Sequence, residues 1–160
     1  MSKMKWVFSL VLRILALGAT VSAAIVMGTS REKASFLSLS FEAKFSDIPS
    51  FKYFVIVEAV ASLYCFLVMF LPARSSLWRF TIISDLIFTM LLTSSIAAAL
   101  AVAQVGKYGN SHAGWLPICG QVPRYCDHVS GALGAGFAAV VIFLAILLSA
   151  IYSFLNPRLI

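Results

Sequence analysis

Apolar residues fall in four long blocks separated by shorter polar stretches. The blocks run over about residues 6–27, 51–71, 80–105 and 130–155. Crossing the hydrocarbon core of a bilayer takes about 20 mostly apolar residues, and each block is long enough. None carries the polar face of a helix that lies on a surface. Backbone groups in lipid must be satisfied within the segment, so each block predicts a transmembrane helix. The expected fold is an all-α membrane protein, a four-transmembrane-helix bundle built as a single domain over residues 1–160. Four crossings put both ends on one face.

Three polar stretches join the blocks. Residues 29–50 form a polar loop ending in Asp47-Ile48-Pro49-Ser50, and residues 72–79 a tight turn with Pro72, Arg74 and Arg79. Residues 106–129 hold Gly, Asn, Pro and two cysteines. A turn as short as the middle one makes spans two and three antiparallel neighbours. Lys3 and Lys5 precede span one, and Val21-Ser22-Ala23 resembles a signal-peptide cleavage site. Arg13 interrupts the apolar run, however, and the run continues to Met27, so the span is expected to be kept.

Composition agrees with this pattern. The 160 residues are 61% hydrophobic and 11% charged, against roughly 25% charged in soluble domains. The net charge of +6 comes from basic residues placed singly or in short pairs beside the apolar blocks. That placement fits solvated loops and membrane flanks, and leaves no basic, aromatic-interleaved surface for nucleic acid. With both ends inside, one face holds Lys3, Lys5, Arg74, Arg79 and Arg158, and the other Arg31, Lys33, Lys44, Lys52, Lys107 and Arg124. Five against six does not orient the chain, although the five sit more densely beside helix ends.

Cys119 and Cys126 share the third connection, with the turn-forming residues Gly120 and Pro123 between them. Either they form a disulfide, which would place this loop in an oxidising compartment outside the cell, or they are two free thiols. Their spacing is not that of a redox pair, and His112 and His128 complete no familiar zinc pattern. Cys65 reads as a small packing residue. No triad, phosphate-cradling motif, metal site or cofactor site stands out, so no enzymatic activity is expected.

Three charged residues lie inside the spans: Arg13, Glu58 and Asp85. Such residues cost about 2.5–3.5 kcal/mol each at a helix centre and normally face the bundle with a partner. Spans one and three start from the same face. Arg13 lies about 10 Å into its span and Asp85 about 8 Å, at about 1.5 Å per residue. Glu58 enters from the opposite face. Arg13–Asp85 is therefore the expected ion pair, acting chiefly to fix helix registry, with Glu58 an additional intramembrane charge.

Small residues recur at four-residue spacing. Gly18 and Ser22 share a stripe in span one, Ser130, Gly134 and Ala138 one in span four, and span three is rich in Ser94, Ser95 and Ala97–Ala99. Such stripes let helices approach closely. Packing within the bundle is the expected use, and contact between subunits the second.

Several segments together carry a family resemblance. They are Arg13 with 19–29 (ATVSAAIVMGT), 45–55 (FSDIPSFKYFV), Asp85 with Ser94-Ser95-Ile96-Ala97-Ala98-Ala99, then Gly109-Asn110, Trp115, Ile118-Cys119 and Tyr125-Cys126. The chain resembles the Casparian strip membrane domain protein-like (CASP-like) family of land plants, related to the MARVEL four-span proteins. The resemblance implies cytosolic N- and C-termini, a plasma-membrane location and a scaffold that forms oligomers with itself and related members. Its partners would be those chains and membrane lipid. The family's intramembrane Arg and Asp fall on Arg13 and Asp85. Residues 31–44 lack the long aromatic stretch of the strip-forming members, and Glu58 stands where many relatives have Asn. The expected function is a non-catalytic scaffold that organises a membrane domain or recruits cell-wall-modifying partners. The alternative is a small transporter or proton/ion channel that uses the intramembrane charges.

Overall fold

The computed structural model describes residues 3–36, 39–70 and 78–155, with side chains for 7–33, 42–70 and 79–155. Four helices dominate it: α1 (Lys3–Gly28), α2 (Pro49–Met69), α3 (Trp78–Tyr108) and α4 (Pro123–Leu155). All four are long and apolar enough to cross a membrane. Most of the middle turn, with Pro72 and Arg74, and the C-terminal Arg158 lie outside the described residues.

The helices bury residues at alternating steps of three and four. On α1 Arg13, Ala16, Thr20, Ala23 and Met27 follow this rule, with Ser30 just past its end, and on α2 Phe51, Phe54, Glu58, Ala61 and Cys65 do, with Val57 buried beside them. On α4 Ala132, Gly136, Ala139, Phe143, Ile146 and Ala150 continue the rule. A period of 3.5 is the seam of a left-handed helical bundle. The intramembrane charges occupy seam positions, which is why they face inward. Neighbouring pairs are α1–α2, α2–α3, α3–α4 and α4–α1, so α1 faces α3, and α2 faces α4, across the bundle axis.

Hydroxyls on these helices return to their own backbone. Thr20 donates to the Ala16 carbonyl at 2.9 Å, Ser95 to Leu92 at 3.0 Å and Thr89 to Asp85 at 2.6 Å. These three buried hydroxyls are thus satisfied without water, as a span requires. Thr29 and Ser30 close the last turn of α1 in the same way, donating to Ile25 and Val26 at 2.7 Å.

Two differences from the sequence reading stand at the α1–α2 and α3–α4 connections. The loop over 29–50 contains two antiparallel strands, β1 (Arg31–Phe36) and β2 (Leu39–Lys44), in the register Arg31↔Lys44 to Phe36↔Leu39. The second strand alternates Leu39, Phe41 and Ala43 with Ser40, Glu42 and Lys44, a period-two pattern that marks a half-buried strand. The fourth helix starts at Pro123 rather than near 130. Proline suits a first helical turn because its missing N–H would be unpaired there in any case. The polar residues Arg124, Asp127 and His128 are exposed on those first turns, so hydropathy alone places the start too late.

Candidate functional site

Arg13 and Asp85 meet across the bundle axis. Arg13 Nη2 donates to Asp85 Oδ2 at 2.8 Å and Nη1 to Oδ1 at 3.2 Å, a two-pronged contact between residues 4% and 0% exposed. The guanidinium fork matches the carboxylate geometry, which a lysine would not. The α2 helix supplies a third member. Tyr64 donates its hydroxyl to Asp85 Oδ1 at 2.7 Å, with the Thr81 carbonyl at 3.1 Å. Its ring stacks on Phe88 at 4.4 Å, and the Arg13 guanidinium lies 6.0 Å from the ring centroid. Three helices are therefore tied at one level by charge-assisted hydrogen bonds.

Tyr64 was not singled out in the sequence, yet the depth argument reaches it. It precedes the α2–α3 turn by about as many residues as Asp85 follows it, so the two side chains share a depth.

Glu58 joins no pair. It is 0% exposed, and neither carboxyl oxygen has a hydrogen-bond partner among the described residues. It reaches toward the diagonal helix at Gly136, where a Cβ would lie 2.6 Å from Phe54 Cζ and 2.9 Å from Glu58 Oε1. Glycine leaves room for both groups, and any larger side chain there would have to displace that ring and the carboxyl.

The small-residue stripes lie elsewhere than expected. Gly18, Ser22, Ser130, Gly134 and Ala138 are all exposed on the outside of the bundle. An added Cβ on Gly18 or Gly134 would meet nothing within 4 Å. All five thus lie off the buried seams, so packing inside the bundle does not account for them.

The end of the bundle that carries the strands is stapled twice. Cys119 and Cys126 are joined as a disulfide with their Cα atoms 5.7 Å apart, which fastens the third connection to the first turn of α4. Glu32 of β1 accepts from the Tyr125 N–H at 2.9 Å, using an otherwise unpaired donor at the positive end of α4. Phe51 and Tyr125 pack at 6.5 Å between ring centroids. On the exposed strand edge, Lys44 stands 3.0 Å from Glu42 and holds that carboxylate below its usual pKa range. Gly109 takes φ +71° and bears the Trp115 carbonyl 2.7 Å from where its Cβ would be, so only glycine fits that turn. Asn110 accepts from the His112 and Ala113 N–H groups at 3.1 and 3.3 Å, which fixes the following 3-10 turn, Ser111–Ala113.

Four span-length helices whose deep charges Arg13, Glu58 and Asp85 are all buried inside the bundle define a multi-pass membrane protein. The chain belongs to the Casparian strip membrane protein domain family, whose profile matches residues 2–142. It is 59% identical over 159 residues to CASP-like protein 1C3 of Populus trichocarpa, covering 99% of this chain and 93% of that protein. CASP-like protein 1C1 of Arabidopsis thaliana is 59% identical over 155 residues, covering 97% and 94%. CASP-like protein 1C2 of Vitis vinifera is 61% identical over 144 residues, covering 90% and 89%. No solved structure matches the chain.

Proposed function

We propose that the protein is a non-catalytic plasma-membrane scaffold that associates laterally with copies of itself and with related chains. The observation that carries this reading is the outward placement of Gly18, Ser22, Ser130, Gly134 and Ala138. In lipid, hydrophobicity gives helices no reason to associate, because lipid tails are as apolar as leucine. Small residues on an outer face let another backbone come close, and van der Waals packing then favours contact. The Arg13–Asp85–Tyr64 tie makes each unit rigid enough to present those faces in a fixed geometry.

The disulfide supports one orientation. A Cys119–Cys126 bond persists in an oxidising compartment, which favours a loop outside the cell and cytosolic termini. The intramembrane charges serve registry in this reading. Arg13 and Asp85 saturate one another, and Glu58 is packed against Phe54 and Gly136, which leaves no relay between them.

Cysteine crosslinking in native membranes tests the proposal. Ser22→Cys and Ala138→Cys chains are expected to give crosslinked dimers, whereas Ala61→Cys, at a buried seam position, is not. Equal or absent crosslinking at all three positions would contradict it.

A further inference from the structure

Between the end of α3 and the disulfide-bearing start of α4 lies a cleft of ≈840 Å³. Its walls include Val102 and Gly106 of α3, Val129 of α4 and Phe51 of α2, with Trp115 and Leu116 of the third connection at its rim. That volume falls within the range of about 300–1,000 Å³ typical of sites that take small apolar ligands. Trp115 is 60% and Leu116 82% exposed although they stand at the end of two spans. Tryptophan in particular is enriched where hydrocarbon gives way to headgroups.

Two charges of opposite sign line the same cleft, Lys107 of α3 and Asp127 of α4, both exposed. Neither is in an ion pair among the described residues. An apolar cleft at the ends of two spans, lined by one cation, one anion and an exposed indole, matches a zwitterionic lipid. An anionic lipid would suit Lys107 and be repelled by Asp127, and a sterol has no charge for either. A quaternary ammonium is also the cation that an indole face binds well.

We propose that this cleft binds phosphatidylcholine from the adjoining leaflet. One acyl chain lies against the α3–α4 wall, the phosphate stands beside Lys107, and the choline is held by Trp115 and Asp127. The proposal requires only that the helices sit in a bilayer, and does not depend on self-association.

The test uses the full chain in lipid nanodiscs with a phosphatidylcholine carrying a photoactivatable diazirine in its acyl chain. Adducts mapped by peptide mass analysis are expected to concentrate on residues 101–106 and 129–130. Unlabelled phosphatidylcholine should displace them better than phosphatidylglycerol or a sterol. Lys107→Ala, Trp115→Ala and Asp127→Ala should each weaken labelling by about two- to fivefold, the range for single exposed ionic or cation–π contacts. Ala101→Trp, which fills the cleft from an exposed wall position, should abolish it. All four positions are exposed, so thermal stability should be unchanged. Adducts spread evenly over the outer faces of all four helices would overturn the proposal. So would better displacement by phosphatidylglycerol or a sterol, or chain-to-chain crosslinks over 101–106 in place of lipid adducts.

Discussion

Arg13 lies inside an apolar span, where an unpaired charge is costly, and it is held by bonds on both of its terminal nitrogens. Replacing it with leucine leaves Asp85 buried with only the Tyr64 hydroxyl, and breaking a buried pair from one side typically costs about 3–5 kcal/mol. Arg13→Leu should therefore fold poorly and reach the cell surface at reduced level, while Arg13→Leu with Asp85→Leu should recover much of the loss. Surface abundance of the tagged variants checks this, and normal abundance of the single variant would refute the pairing role. Gly136 and Gly134 give a second contrast. Gly136→Ala forces Cβ into Phe54 and Glu58, an overpacking worth about 1–3 kcal/mol. Gly134→Ala meets open space and should leave the unfolding midpoint unchanged. The pair Arg13–Asp85 was legible from depth along two spans that start on one face. The burial of Glu58 without a partner was not, because depth says nothing about which neighbour lies across the axis. The close fit at Gly136 was also hidden, since it comes from a ring on the diagonal helix.

At the scale of elements, the four helices are readable because each apolar block outlasts the thickness of the hydrocarbon. Their ends are less so. The strands β1 and β2 are only six residues each, and of the two only β2 alternates polar and apolar side chains, a weak signal beside four strong ones. The start of α4 is polar because it stands clear of the apolar zone and takes its stability from Pro123, the Glu32 carboxylate and the disulfide. Removing the disulfide with Cys119→Ser and Cys126→Ser should cost about 2–3 kcal/mol by loop-closure arithmetic. Hydrogen exchange should show the loss confined to residues 109–126, with the amides of 85–100 as protected as before. Uniform loss along α3 would mean that the staple supports the whole bundle instead.

For the whole molecule, the seams and the outer faces divide the work. The polar contacts of Arg13, Tyr64 and Asp85 tie helix to helix inside the bundle, so this registry is internal to one chain. The small residues at Gly18, Ser22, Ser130, Gly134 and Ala138 lie outside that system, and their spacing was visible in the sequence while their direction was not. Spacing of four marks one helix stripe, but a stripe can turn inward or outward, and only the seam rule of alternating three and four steps tells which. On α1 the seam passes through Ala16, Thr20 and Ala23, and Gly18 and Ser22 fall between its positions.

The most direct test of lateral association is the monomer–oligomer equilibrium in a bilayer, read by single-molecule photobleaching as the protein is diluted in lipid. The wild-type chain should show a reversible shift from oligomers to monomers. Gly18→Leu with Gly134→Leu should weaken association by at least about tenfold, equivalent to about 1.4 kcal/mol, with unchanged thermal stability. A wild-type chain that stays monomeric at every dilution, or a double variant that associates as well as wild type, would contradict the account.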